Sequence, residues 1–162
     1  MAIITLLTDF GTTDHYVAAL KASILSTNKG LTIVDISHHI APSDIAHASY
    51  VIKQCYEDFP EGTVHLISVG PTGHPEEKIL AAKINGHYFV GADNGLLGLI
   101  NDNDAQFTAE IPRLKQSSTF VSKKVLAVTA AKLASGVALQ DIGSPLPGYK
   151  KMLGRHLRAT KK

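Results

Sequence analysis

The stretch Ala2-Ile3-Ile4-Thr5-Leu6-Leu7-Thr8-Asp9-Phe10-Gly11-Thr12-Thr13-Asp14 decides the fold. An apolar run ends in two acids separated by a glycine-containing turn, and a helical pattern follows. A carboxylate at the C-terminal end of a buried strand stands where open α/β sheets bind their ligands. The helix that begins beside it adds free N–H donors. A plainer alternative is that Asp9 and Asp14 only shape the turn and cap the helix, because Asp favours both positions.

The rest of the chain extends this beginning. Strand-like runs stand at Ile3–Leu7, Leu31–Ile36, Val64–Val69, Ile79–Ile84 and Tyr88–Gly91. Val17, Leu20, Ile24 and Leu25 recur at helical spacing between the first two runs. Ile45, Ala48, Ile52 and Cys55 do so between the second and third, with Ser43 or Asp44 as N-cap. Alternation of strand and helix predicts a parallel sheet with crossover helices. Asn85-Gly86 between two runs signals a hairpin, so the second half adds antiparallel strands and the sheet becomes mixed. A last helix is predicted over Lys124 to Ser135, with Gly136 as its stop. These patterns give one α/β domain of Rossmann-like build, a mostly parallel, mixed sheet flanked by helices.

Composition narrows the function classes. At 162 residues and 44% hydrophobic, the chain can bury a real core; a domain of this size hides about 70% of its unfolded surface. A net charge of +2 gives no reason to expect a nucleic-acid partner. Lys150, Lys151, Arg155, Arg158, Lys161 and Lys162 crowd the last thirteen residues and read as a solvated basic tail. A single cysteine, Cys55, rules out an intrachain disulfide and fits a reducing compartment. Its apolar neighbours mark it as a structural thiol. The apolar run that stops at Asp9 is too short to read as a signal peptide, and no run approaches the roughly 20 apolar residues of a membrane span. The expectation is a soluble, cytoplasmic protein.

Further motifs follow in a fixed order: Val34-Asp35-Ile36-Ser37-His38, Phe59-Pro60-Glu61-Gly62-Thr63-Val64, Ala92-Asp93-Asn94-Gly95-Leu96-Leu97 and Thr119-Phe120-Val121-Ser122. With Thr8-Asp9-Phe10-Gly11 they resemble the N-terminal domain of the S-adenosylmethionine hydroxide adenosyltransferases (S-adenosylmethionine hydrolases), relatives of the fluorinases and chlorinases. The resemblance runs from about Ile3 to Leu146. It implies a domain over 1–146 and a basic tail over 147–162, without the β-barrel domain that follows in the family. The chain is then either a fragment of a longer protein or a shortened relative. In the family that second domain, from a neighbouring subunit of a homotrimer, completes the adenine pocket.

The resemblance also assigns residues. Asp9 matches the aspartate that grips both ribose hydroxyls, which one carboxylate can do in a bidentate way. Asp14 matches an acid near the methionine ammonium group, and Tyr16 falls near the same end of the ligand. Tyr16 reads equally well as an amphipathic residue at the core edge. Asn94 matches a turn close to the site, although Asn and Gly also make such turns without any ligand. Ser43 falls where the halogenases carry an aromatic, and helix capping explains it better.

At the catalytic step the chain departs from the family. Gly70 stands where the resemblance expects an aspartate, Glu77 or Lys78 where it expects an arginine, and Val121 where it expects a histidine. Water needs a base or a polarising cluster. His74 and Lys78 are the substitute candidates, with His74 as base; the alternative is a solvated loop histidine. Thr72 and Ser122 instead resemble the hydroxyls of a halide pocket, where desolvation and a few donors suffice. The leading expectation is hydrolysis of S-adenosylmethionine to adenosine and methionine, with no cofactor and S-adenosylmethionine as the small-molecule substrate. A binding or assembly domain without turnover is the alternative, and a halide-using relative a third. The histidines His38, His39, His47, His65, His87 and His156 lack zinc-ligand spacing. No glycine-rich phosphate loop is present.

Overall fold

Six strands of five or six residues and a short seventh form one sheet in the computed structural model, which describes residues 2–70, 77–101, 104–112 and 119–151, the side chains of 119–123 excepted. The order along the chain is β1 (Ile3–Thr8), α1 (Tyr16–Thr27), β2 (Thr32–Ser37), α2 (Ile45–Cys55), a 3-10 turn at Tyr56–Asp58, β3 (Val64–Ser68), β4 (Ile79–Ile84), β5 (His87–Ala92), α3 (Leu96–Ile100), β6 (Phe107–Ile111), α4 (Thr119–Ala134), α5 (Leu139–Ile142) and β7 (Ser144–Pro145). Across the sheet the strands run β2-β1-β3-β5-β4-β6-β7. The pairs β1–β2, β1–β3 and β3–β5 are parallel, whereas β4 pairs antiparallel with both β5 and β6.

Both faces of the sheet are covered, which is why its strands read as continuous apolar runs. Ile4, Leu6, Val64, Leu66, Ala81 and Val90 meet Leu20 and Ile24 of α1 and Leu126, Ala127 and Ala130 of α4. Leu7, Ile67, Leu80, Ala82 and Phe89 point the other way, onto Ala48 and Ile52 of α2 and Leu96 and Leu97 of α3. Each fully buried aliphatic contributes roughly 1.5–3 kcal/mol, so the two cores hold the sheet from both sides.

The sequence-based boundaries of the first five strands agree with the structure to within one residue at each end. The hairpin at Asn85-Gly86 joins β4 to β5, with φ of 50° and 79°; that is the pairing of positive angles a tight two-residue turn requires. Two expectations need correction. The helix expected as the last, α4, begins at Thr119, five residues before Lys124, because Thr-Phe-Val-Ser contains no residue that prevents a helix, and the short α5 follows it. The capping residue of α2 is Asp44, whose carboxylate accepts from the His47 amide, and not Ser43. Asp44→Ala should therefore lower stability by about 1 kcal/mol, read as a melting temperature lower by about 2–4 °C. An unchanged melting curve would remove the cap.

Cys55 is half-buried on α2 with its Sγ toward the Val51 carbonyl. Burial first, and the Asp58 charge second, raise its thiol pKa. No described helix is long and apolar enough to cross a membrane.

Candidate functional site at the edge of the parallel strands

From β1 the chain passes through α1 to β2 on one side, then through α2 on the opposite face to β3 on the other side of β1. Strand order therefore reverses between β1 and β3, and a crevice opens there beyond the C-terminal strand ends. Asp9, the residue after β1, lies in that crevice. Its amide donates to the Ser68 carbonyl at the end of β3, at 3.3 Å.

The Asp9 carboxylate ties three segments together. Oδ2 accepts from the Ser43 amide at 3.0 Å and from the Gly70 amide at 3.1 Å. Ser43 comes from the β2–α2 connection, where it holds a φ of 62°. Among the described residues, no bond engages Oδ1. One carboxylate oxygen thus fixes the side chain and leaves the other for a ligand's donors, and a carboxylate held this way suits hydroxyl groups.

The neighbouring strand ends supply the rim. Asp14 is exposed one residue before His15, the cap position of α1, whose side chain makes no cap bond. The helix-capping explanation of Asp14 therefore fails, and its charge stands free of that role. Tyr16 opens α1, 38% exposed, with His15 stacked at 4.6 Å and Phe10 at 6.3 Å. The Asn94 amide donates to the Val69 carbonyl at 2.9 Å, and its oxygen accepts from the Leu96 amide at 3.2 Å. This side chain closes the turn after β5 and braces the end of β3.

Lys78 is exposed just before β4, whose start lies on the same sheet edge because β4 runs opposite to β5; its carbonyl accepts from the Asp93 amide at 2.8 Å. Thr72 and His74 lie outside the described residues, and the Ser122 side chain, on α4, does too. Gly70 has a φ of 106°, and a Cβ there would stand 3.3 Å from the Asn94 amide nitrogen.

Two arrangements escaped the sequence reading. His38, set aside in the sequence for lacking zinc-ligand spacing, is buried against this edge and bonds Thr8 and Asp35 at once. His65 and His87, placed together by β3 and β5, face each other on the α2 side, Nε2 to Nδ1 at 3.1 Å, with Thr5 Oγ1 2.6 Å from His65 Nδ1. Burial, with the His87 charge second, pushes the His65 pKa down to about 3. The parallel register that brings them together was not visible in spacings of 22 residues.

Against this geometry stand the known proteins. Residues 4–143 match the family described as the SAM hydroxide adenosyltransferase N-terminal domain. The (R)-S-adenosyl-L-methionine hydrolase of Methanocaldococcus jannaschii is 39% identical over 139 residues, covering 81% of this chain and 52% of that protein. A fluorinase of an Actinoplanes species is 30% identical over 174 residues, covering 89% of this chain and 58% of its own length. The crystal structure of an uncharacterized conserved protein from Thermotoga maritima superimposes with a TM-score of 0.85 at 32% identity, over 93% of this chain and 60% of that one. The chain thus spans between half and two thirds of each of these relatives.

Proposed function

This chain belongs to the S-adenosylmethionine hydroxide adenosyltransferase family through its N-terminal domain, and from that premise we propose that it holds the ribose end of S-adenosylmethionine for hydrolysis to adenosine and L-methionine. The observation that carries the reading is the Asp9 carboxylate, pinned through Oδ2 at the β1–β3 crevice with Oδ1 unengaged among the described residues. In this proposal both ribose hydroxyls donate to Asp9. Asp14 faces the methionine ammonium group with Tyr16 beside it, and Asn94 shapes the rim. Thr72 and Ser122 stay candidates from the sequence alone for the reacting end of the ligand.

The chemistry asks little of the protein beyond alignment. The sulfonium makes methionine a neutral leaving group, so water or hydroxide attacks the 5′ carbon in line with the departing sulfur. The carbon–oxygen bond forms as the carbon–sulfur bond breaks, and the water proton passes to a base. His74, with Lys78 nearby in sequence, is our candidate for that base. A cofactor has no part in this scheme. Residues 1–146 form the catalytic half-site in this reading, 147–162 a basic tail, and the assembly is a homotrimer in which a neighbour completes the adenine pocket.

The test is incubation of the concentrated chain with S-adenosylmethionine, with and without fluoride and chloride, followed by mass spectrometry against a no-protein control. Adenosine and methionine are expected. A halogenated nucleoside would replace hydrolysis with halide chemistry at Thr72 and Ser122. No product, with binding retained, would favour the binding-domain reading that the replaced groups at Gly70 and Val121 suggest. His74→Ala should slow turnover and leave affinity nearly unchanged; an unaltered rate would remove His74 as the base.

A further inference from the structure

We propose that His38 is a positioning residue for the Asp9 turn, acting through the hydroxyl of Thr8. The inference rests on the ligand reading of Asp9 for its functional consequence, but its structural part stands alone. Lys21 Nζ lies 2.7 Å from Asp35 Oδ2, Asp35 Oδ1 lies 2.8 Å from His38 Nε2, and His38 Nδ1 lies 2.7 Å from Thr8 Oγ1. The chain of contacts runs from α1 across β2 to the end of β1.

Direction along this chain follows from the charges. Asp35 is an acceptor only when ionised. Burial alone would raise its pKa, but the hydrogen bonds and charges of Lys21 and His38 outweigh burial and hold it below the usual carboxylate range. An ionised Asp35 can only accept, so His38 Nε2 carries a hydrogen and donates to it; in the neutral imidazole form that this proposal assigns, Nε2–H leaves Nδ1 without one. Nδ1 is then an acceptor, and the Thr8 hydroxyl donates to it. That leaves the lone pairs of Thr8 Oγ1 for the Phe10 amide, which approaches at 3.3 Å. The His38 carbonyl accepts from the Gly11 amide at 2.7 Å.

Both amides that follow Asp9 in the turn of interest are thereby held by His38, one through Thr8 and one directly. The Asp9 carboxylate is held from the other side by Ser43 and Gly70. A turn anchored at both ends presents Oδ1 in one direction, and its two lone pairs can accept from the two ribose hydroxyls. Thr8 is fully buried and His38 nearly so, so neither reaches a ligand; their effect passes through the turn.

Three readouts test this in the intact chain: amide hydrogen exchange at Phe10 and Gly11, adenosine affinity by NMR titration, and the nitrogen-15 tautomer signature of His38. Thr8→Val keeps the branched shape and deletes the hydroxyl. It should speed Phe10 exchange and weaken adenosine binding, each by about tenfold, and Thr8→Ser should restore both. A purely structural hydroxyl would lower the melting temperature without that paired response and rescue. Asp35→Asn, at a partly exposed site and thus safer for folding, should shift the His38 tautomer and raise exchange at Phe10 in the same direction.

Wild-type exchange rates in both Thr8→Val and Asp35→Asn would overturn the proposal, as would a wild-type His38 carrying its proton on Nδ1. If the wild-type chain binds no adenosine, the ligand reading of Asp9 fails. The exchange and tautomer data then still decide whether His38 sets the turn.

Discussion

Asp9→Ala should weaken binding of S-adenosylmethionine by about a thousandfold, because it deletes the acceptor for two hydroxyl donors at once. Hydrogen bonds to a charged group are each worth about 1.5–3 kcal/mol, and the pair accounts for the loss at roughly 1.4 kcal/mol per tenfold. The same change also frees the Ser43 and Gly70 amides, so some loss comes from loosening of the crevice. Asp9→Asn separates the two contributions. Its carbonyl oxygen can still accept from the two amides, but the charge and one acceptor are gone. It should keep the melting temperature near that of the wild type and still lose most of the affinity. Calorimetric titration of both variants with S-adenosylmethionine checks this. Affinity within about twofold of wild type in Asp9→Ala, well inside one hydrogen bond's worth, would mean that the ligand does not sit on Asp9.

Acid should unfold this protein from a place remote from the Asp9 crevice. His65 is fully buried, and its folded-state pKa is pushed down to about 3. Burial also lowers that of His87, although Glu57 and Glu61 pull in the opposite direction. The two facing nitrogens share one hydrogen, so the arrangement suits neutral rings and resists a second proton. The unfolded chain takes up protons near the ordinary histidine value of 6.5, and the folded chain does not until about pH 3. Between those values the unfolded state binds more protons, and stability falls as pH falls. The contribution of His65 is fully present above pH 6.5 and is lost progressively down to about pH 3, the accumulated loss there being about 5 kcal/mol. Denaturant titrations across that range should show the slope. His65→Phe, which fills the same aromatic nest beside Tyr56, Phe59 and Phe89, should flatten it, despite leaving the Thr5 hydroxyl without its ring partner. Asp35 also loses its contribution in acid, as pH falls through its depressed pKa, but that loss is common to both proteins. An equal slope in wild type and His65→Phe would place the acid sensitivity elsewhere.

The legible part of this fold is the part written in local patterns. Ile3–Thr8 and Ile79–Ile84 declare themselves because buried parallel and central strands are mostly apolar, and Asn85-Gly86 because few pairs tolerate two positive φ angles. α3 has five residues and α5 four, too few for a helical period to emerge. β7 is two residues long and includes Pro145, which local strand propensity disfavours; only its partner β6 makes it a strand. Within the site, Asp9 was readable because its place after the first strand carries meaning in this class of sheet. The bonds that hold it were not, because Ser43 and Gly70 are 34 and 61 residues away and contribute only backbone. His38 carries no distinguishing signal in the sequence, and only its bonds to Thr8 and Asp35 reveal what it supports.

Gly70 bears on ancestry. The family resemblance expects an aspartate there, yet this backbone turns through a φ of 106° at that position, with Asn94 3.3 Å from where a Cβ would stand. A side chain on that backbone is strained whatever its chemistry. Exchanging glycine for aspartate therefore restores nothing unless the peptide before it rotates and Asn94 gives way, and that rotation would withdraw the amide that Asp9 accepts. Aspartate at position 70 therefore calls for accompanying changes around Asn94 and the Asp9 turn, and a single exchange there would disturb the grip on Asp9 before it supplied any new chemistry.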